Sequence, residues 1–150
     1  MIEVLVITIS NPILIGIYKD QTLIKKYELL GKTSEELPLF FEQILKLYNI
    51  DKIIYVNTPG SFMSIKIAYI FIKTLTQIKN IKFEAIDGFT FNSNSPIKAL
   101  GKKYFIKEHD NIKVDFLPNN YKISDFKLPK CIKNFEFQKD TLPIYNLPAV

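Results

Sequence analysis

The feature that most restricts the fold is a short apolar run followed by a tight loop and a long apolar helical pattern. Residues 53–56 form the run, 57–61 (Asn-Thr-Pro-Gly-Ser) form the loop, and the helical pattern continues to about Lys79. A strand that leads through a turn into a helix is typical of α/β proteins. The first N–H groups of such a helix can bind an anion, or the turn can simply start a tightly packed helix. Gly60 and Ser61 are the candidate anion contacts.

The predicted elements follow the order β-β-β-α-β-α-β. Three strands, a helix, a strand, a helix and a strand are predicted at 2–9, 13–18, 22–30, 33–49, 53–56, 61–79 and 82–86. Thr33 and Glu36 have the spacing of a capping box, which sets the start of the first helix. A meander of strands followed by a parallel crossover pair is the order found in actin-like and ribonuclease H-like (ASKHA) α/β folds.

The composition changes after residue 95. Pro, Asn and Lys become frequent, and only 99–107 and 112–117 have the pattern of strands. The sequence therefore predicts a ribonuclease H-like N-terminal domain over 1–95. Residues 96–150 are predicted to form a small, truncated C-terminal lobe with a wrapping tail.

The overall composition predicts a folded cytoplasmic protein. Hydrophobic residues make up 47% of the 150 residues and charged residues 23%, which suits a packed core. The apolar runs are far shorter than the ~20 residues that span a bilayer, and residues 1–9 lack the pattern of a signal peptide. Cys131 is the only cysteine, so no internal disulfide is expected. All 20 basic residues are lysine, and the net charge of +5 permits an acidic partner without identifying one.

The residues that a catalytic protein of this fold class needs are missing or doubtful. The first strand reaches Thr8 without the carboxylate that metal-dependent nucleases place there. Asp87 precedes a glycine, a pair typical of turns, and His109 lies in a polar stretch typical of a surface loop. Ser61 has no evident base, and Cys131 has no histidine nearby in sequence. We therefore predict no catalytic residue and no metal site.

The second predicted helix carries two apolar stripes, whereas a helix that covers a sheet needs one. Either the C-terminal appendage covers the extra stripe, or the stripe simply tolerates exposure, or a partner helix binds it. Binding of a partner by the first and second helices is the favoured interpretation. The predicted interface residues are Leu37, Phe40, Phe41, Ile44, Met63, Lys66, Ile67, Ile70, Phe71 and Thr74.

Four segments resemble the TsaB (YeaZ) family of tRNA threonylcarbamoyladenosine biosynthesis proteins. Residues 59–67 (Pro-Gly-Ser-Phe-Met-Ser-Ile-Lys-Ile) resemble the family segment G-P-G-S-F-T-G-x-R-I-G. Residues 33–38 resemble H-S-E-x-L-L-P, 142–147 resemble the ending P-x-Y-L-R, and 6–10 stand where the family has a strand end like I-D-T-S. The resemblance is good over residues 1–90, and the second lobe is shorter than in the family.

This resemblance implies an ASKHA fold and a non-catalytic role in making threonylcarbamoyl-adenosine in tRNA. Family members pair through their two N-domain helices with the catalytic homologue TsaD, and the ATPase TsaE joins them. The resemblance implies that this chain alone binds no cofactor, that any ATP or ADP lies at the interface of the complex, and that tRNA is reached indirectly. Two alternatives remain open. One is a small phosphotransferase or peptidase-like enzyme using Ser61 and Asp87, and the other is a homodimer through the same helices.

Overall fold

Five strands form a mixed sheet that contains both the predicted meander and the predicted parallel pair. The computed structural model describes residues 1–60 and 62–146. The strands are β1 (Ile2–Ile7), β2 (Ile13–Lys19), β3 (Thr22–Leu29), β4 (Lys52–Thr58) and β5 (Lys82–Asp87), in the spatial order β3-β2-β1-β4-β5. β1 pairs antiparallel with β2 and parallel with β4, which also pairs parallel with β5. The predicted α/β fold class and element order are confirmed.

Two helices cover one face of this sheet, which we call the helix face. They are α1 (Thr33–Leu47) and α2 (Phe62–Lys79). Side chains alternate between the two faces of a strand. Val4 and Val6 therefore pack in the cluster that contains the helices, while Leu5 and Ile7 pack on the opposite face.

The start of α1 differs from the predicted capping box. Lys32 occupies the N-cap position, and no side chain caps this end of the helix. Thr33 is already the first helical residue, so its hydroxyl is not at the position that reaches the free N–H groups. The N–H groups of Glu35 and Glu36 instead donate to the Lys32 carbonyl at 3.0 and 2.9 Å. The capping-box prediction is therefore wrong, although the two first-turn carboxylates still suit the helix dipole.

A second, three-stranded sheet follows the first. A 3₁₀ helix (Gly88–Phe91) leads to β6 (Ile97–Lys98), β7 (Lys103–Glu108) and β8 (Asn111–Phe116), all antiparallel. β7 begins later than predicted because residues 99–102 form a turn, with Gly101 at a φ of 62°. Phe89, Ile97 and Phe105 form the small core beneath this sheet. The predicted domain boundary at residues 95 and 96 stays a prediction.

The opposite face of the main sheet is covered by residues 126–146, which we call the strap. The strap contains no helix or extended strand, but it crosses the sheet from one edge to the other. Its buried Ile132 and partly buried Phe126, Leu128, Phe135 and Phe137 pack against this face. Among the described residues, no helix is both long enough and apolar enough to cross a membrane.

Candidate partner surface

Helix α2 has one buried side and one exposed apolar side. Ile65, Ala68 and Ile72 are fully buried against the sheet. On the opposite side Met63, Ile70 and Ile78 are 55%, 51% and 73% exposed. The spacing of 63, 67, 70, 74 and 78 keeps these positions on one helix face. Scattered exposed apolar residues are ordinary, but here they form a continuous stripe along the helix.

The charges on α2 have one sign. Its sequence contains Lys66, Lys73 and Lys79 and no acidic residue. Ile67 and Phe71 are half-buried, and Thr74 is exposed. The Thr74 hydroxyl donates to the Ile70 carbonyl one turn earlier at 2.8 Å, so this polar side chain is satisfied within the helix. We call positions 63, 67, 70, 74 and 78 the α2 stripe.

Four residues predicted at the partner interface lie in the core instead. Leu37, Phe40, Phe41 and Ile44 of α1 are all less than 10% exposed and pack against the sheet and α2. The Phe41 ring lies 5.9 Å from that of Phe71, measured between centroids. These side chains are largely covered within this chain, and their assignment to a partner contact stays a prediction. The spacing of apolar residues correctly identified the apolar side of α1, but it does not show which part of the molecule covers that side.

The candidate anion loop is closely packed. Gly60 is buried, and a Cβ atom added to it would collide with the Ile65 side chain, whose Cγ1 would lie 2.7 Å away. This glycine therefore allows the loop to lie against its own helix. Ser61 lies outside the described residues, so the anion contact at Gly60 and Ser61 stays a prediction.

The carboxyl end of β4, where open α/β sheets usually bind ligands, is occupied by the strap. The Tyr55 hydroxyl donates to the Thr141 carbonyl, and burial raises the pKa of this phenol above its usual range. The Asn57 amide donates to the Leu142 carbonyl at 3.0 Å. The Ile144 N–H donates back to the Asn57 carbonyl, also at 3.0 Å. The polar groups at this end of β4 are therefore satisfied by the chain itself.

The other candidate catalytic residues either cap a helix or lie exposed at the surface. The Asp87 carboxylate accepts from the Phe89 N–H at 2.8 Å, which caps the 3₁₀ helix, and lies 3.6 Å from the Lys107 ammonium. His109 lies in the exposed turn between β7 and β8, with a φ of 54°. Cys131 is exposed on the strap. Within the described residues, no group of three His, Cys, Asp or Glu side chains is placed to hold a metal ion.

A cleft of about 530 Å³ lies between the two sheets. Its lining includes Ser10, Lys98 and Asp125, together with the buried Asn92. The Asn92 amide donates to the Ser95 carbonyl at 2.9 Å, while its oxygen has no hydrogen-bond partner among the described residues. Sequence reasoning did not identify this cleft, because its lining comes from segments far apart in the chain.

The meander, the parallel pair and the two helices on one face together form the predicted α/β core, an ASKHA-like fold. No protein-family model and no curated protein matches the sequence. The structure resembles YeaZ from Pseudomonas aeruginosa, with a TM-score of 0.55, 10% identity, and coverage of 82% of this chain and 67% of that one. It also resembles a protein from that organism described as similar to peptidase YeaZ, with a TM-score of 0.55, 11% identity, and coverage of 76% and 63%. The resemblance to YeaZ is thus confirmed for the fold, and this chain spans about two thirds of those chains.

Proposed function

We propose that this chain is a non-catalytic subunit that binds a TsaD-type enzyme and supports threonylcarbamoyl-adenosine modification of tRNA. The observation that carries the proposal is the α2 stripe, whose Met63, Ile70 and Ile78 are exposed apolar side chains opposite the buried side of the same helix. Burying an aliphatic side chain contributes roughly 1.5–3 kcal/mol. Three such side chains at the centre of an interface would form a substantial contact.

Two further observations support this role. β1 carries no acidic residue near its carboxyl end, where its last residue, Ile7, is buried. The carboxyl end of β4 is filled by residues 141–146 of the strap. In the proposed complex the partner supplies the catalytic residues, ATP or ADP binds at the shared interface, and a TsaE-type ATPase joins. Contact with tRNA is made by the partner.

The test is co-purification with the TsaD-type protein of the same genome. Met63→Glu and Ile70→Glu, alone and combined, place carboxylates on the α2 stripe without touching the buried side. The matched control is Leu100→Glu, which adds the same charge at an exposed leucine of the second sheet. We expect the double variant to lose the partner while its circular dichroism and unfolding midpoint stay unchanged, and the control to retain the partner. Co-purification of the folded double variant at the wild-type level would contradict the proposal.

A second candidate is an enzyme, because one structural neighbour is described as similar to a peptidase. It would use Ser61 and Asp87, and as a phosphotransferase it would bind ATP. Titration calorimetry of the isolated chain with Mg²⁺ and ATP separates the two candidates. Heat from saturable binding, abolished by Asp87→Asn, would favour the enzyme over the subunit. A homodimer through the α2 stripe would appear in sedimentation as concentration-dependent mass that the same Glu variants remove.

A further inference from the structure

The outer edge of β3 is unpaired along most of its length. β3 is the last strand of the main sheet, with β2 on its inner side. The strap pairs with the start of this edge: the Leu23 N–H donates to the Lys130 carbonyl at 2.9 Å, and the Ile132 N–H donates to the Gln21 carbonyl at 3.0 Å. Across the described residues, no backbone group bonds to the outer edge from residue 24 to 29. Such an edge is a template for another extended chain.

Both edges of this sheet already accept extended segments of the same chain. At the opposite edge, Ala85 of β5 and Gln138 of the strap exchange two backbone hydrogen bonds of 2.9 and 2.8 Å. At the β3 edge, Thr22 and Cys131 form the corresponding antiparallel bridge. Edge pairing by a non-regular segment is thus part of how this molecule is built. In the part of the chain that the structure describes, residues 24–29 of β3 have no such partner.

A groove lies beside the free part of β3 on each face of the sheet. The groove on the helix face has a volume of about 290 Å³. Its lining includes Leu39 and Leu47, which are 57% and 70% exposed. The groove on the strap face has a volume of about 330 Å³, and it is lined by Leu14, Lys26, Tyr27, Glu28, Phe126, Lys127 and Leu128. Side chains of an added strand alternate between the two faces, so successive residues of a bound segment would enter the two grooves in turn.

The two grooves differ in character. The helix-face groove is mainly apolar, lined by Tyr27, Leu29, Glu36, Leu39, Phe40, Gln43, Ile44 and Leu47. The strap-face groove has two ammonium groups, from Lys26 and Lys127, and one carboxylate, from Glu28. The strap-face groove therefore carries a net positive charge, which favours acidic side chains at the positions of a bound segment that enter it. We propose that this edge binds an extended segment of a partner protein in which apolar residues alternate with acidic ones.

Binding by strand addition gives affinity through main-chain hydrogen bonds and specificity through alternate side-chain pockets. The site is separate from the α2 stripe, because Leu39 and Leu47 border β3 while the stripe lies on α2 opposite its buried side. A partner bound at this edge could therefore occupy the chain together with a partner bound at α2.

The test uses two peptides of equal length, one alternating valine with aspartate and one alternating valine with lysine. We expect the aspartate peptide to bind more tightly by at least about tenfold, measured by fluorescence anisotropy. We also expect it to slow amide hydrogen exchange at residues 24–29. Lys26→Glu and Leu47→Glu should each weaken binding by on the order of tenfold. The matched control Lys79→Glu, a charge reversal at the end of α2, should bind like the wild type.

Three results would overturn the proposal. The first is equal affinity for the two peptides. The second is exchange at residues 24–29 that does not change when the aspartate peptide saturates the protein. The third is protection of these amides that rises with protein concentration in the absence of peptide, because this would identify a second copy as the occupant. Loss of TsaD-type binding in the α2 variants, with peptide binding retained, would show that the two surfaces are independent.

Discussion

The two faces of the five-stranded sheet are covered in different ways. Two amphipathic helices cover one face, and a strap without helix or strand covers the other. The helices satisfy their own backbone groups, so they need only apolar contact with the sheet. The strap must find partners elsewhere, and it finds them on both sheet edges and on the Tyr18 hydroxyl, which donates to the Pro129 carbonyl at 2.7 Å. A sheet face can therefore be covered by a segment whose sequence has no periodicity.

The largest effect is expected on the helix face. Phe41→Ala should lower the free energy of unfolding by about 3–5 kcal/mol, since it empties a fully buried site between α1 and α2. Urea unfolding followed by circular dichroism measures the change. The control Leu39→Ala lies on the exposed side of the same helix and should change stability by less than about 0.5 kcal/mol. Similar losses for both variants would mean that α1 is not packed as described.

A smaller effect is expected on the strap face. Ile132→Ala removes a buried side chain from the strap and should cost about 2 kcal/mol. The strap is held by few backbone hydrogen bonds. In this variant, hydrogen exchange should therefore accelerate at the amides of the strap, while the amides of β1 and β4 still exchange at the wild-type rate. Hydrogen exchange measured by mass spectrometry tests this order. Uniformly faster exchange across sheet and strap would show that both faces unfold as one unit.

The smallest effect concerns the end of the strap and depends on pH. Tyr55→Phe removes the hydroxyl that donates to the Thr141 carbonyl and should cost about 1 kcal/mol at neutral pH. Burial raises the pKa of Tyr55 and of Tyr18, so the folded state keeps both phenol protons at a pH where the unfolded state loses them. The contribution of the two buried phenols to the free energy of unfolding is therefore fully present below the unfolded-state pKa of about 10. It is lost as the pH rises above that value.

Chemical unfolding of wild type and Tyr55→Phe at several pH values tests this dependence. The variant should lose less stability between neutral and strongly alkaline pH than the wild type, because one buried phenol is gone. Tyr121→Phe serves as a control, since this tyrosine is exposed at the surface. An identical alkaline loss in wild type and Tyr55→Phe would contradict the assignment of the buried hydroxyl.

Sequence reasoning was most successful where periodicity is strong. The five strands and two helices of residues 1–87 were predicted close to their observed bounds, because a buried strand and an amphipathic helix each impose a repeat on the sequence. It was less successful where the local structure depends on tertiary contacts and not on a repeating pattern of apolar residues. Lys32 rather than Thr33 occupies the cap of α1, and β7 begins at Lys103 after a turn. Neither difference changes the order of the elements.

The candidate surface was predicted only in part. The exposed residues of α2, Met63 and Ile70 among them, were identified from the second apolar stripe. The residues of α1 were placed on the same surface although they are core, because a periodic pattern shows which side of a helix is apolar without showing what covers it. A wrapping tail was predicted from composition, but not the sheet face that the strap covers. The cleft between the sheets and the free edge of β3 had no local signal, since each is formed by segments distant in sequence.

The class of fold, and the presence of a second apolar stripe on α2, can be predicted from the sequence alone. Both follow from local spacing of apolar residues, which reflects the geometry of a strand and of a helix. Three features become visible only in the folded chain. They are the set of apolar side chains that are covered, the strap at the carboxyl end of β4, and the unpaired residues 24–29 of β3. Burial and edge pairing depend on contacts between segments that are distant in sequence, and the spacing of residues along one sequence does not specify those contacts.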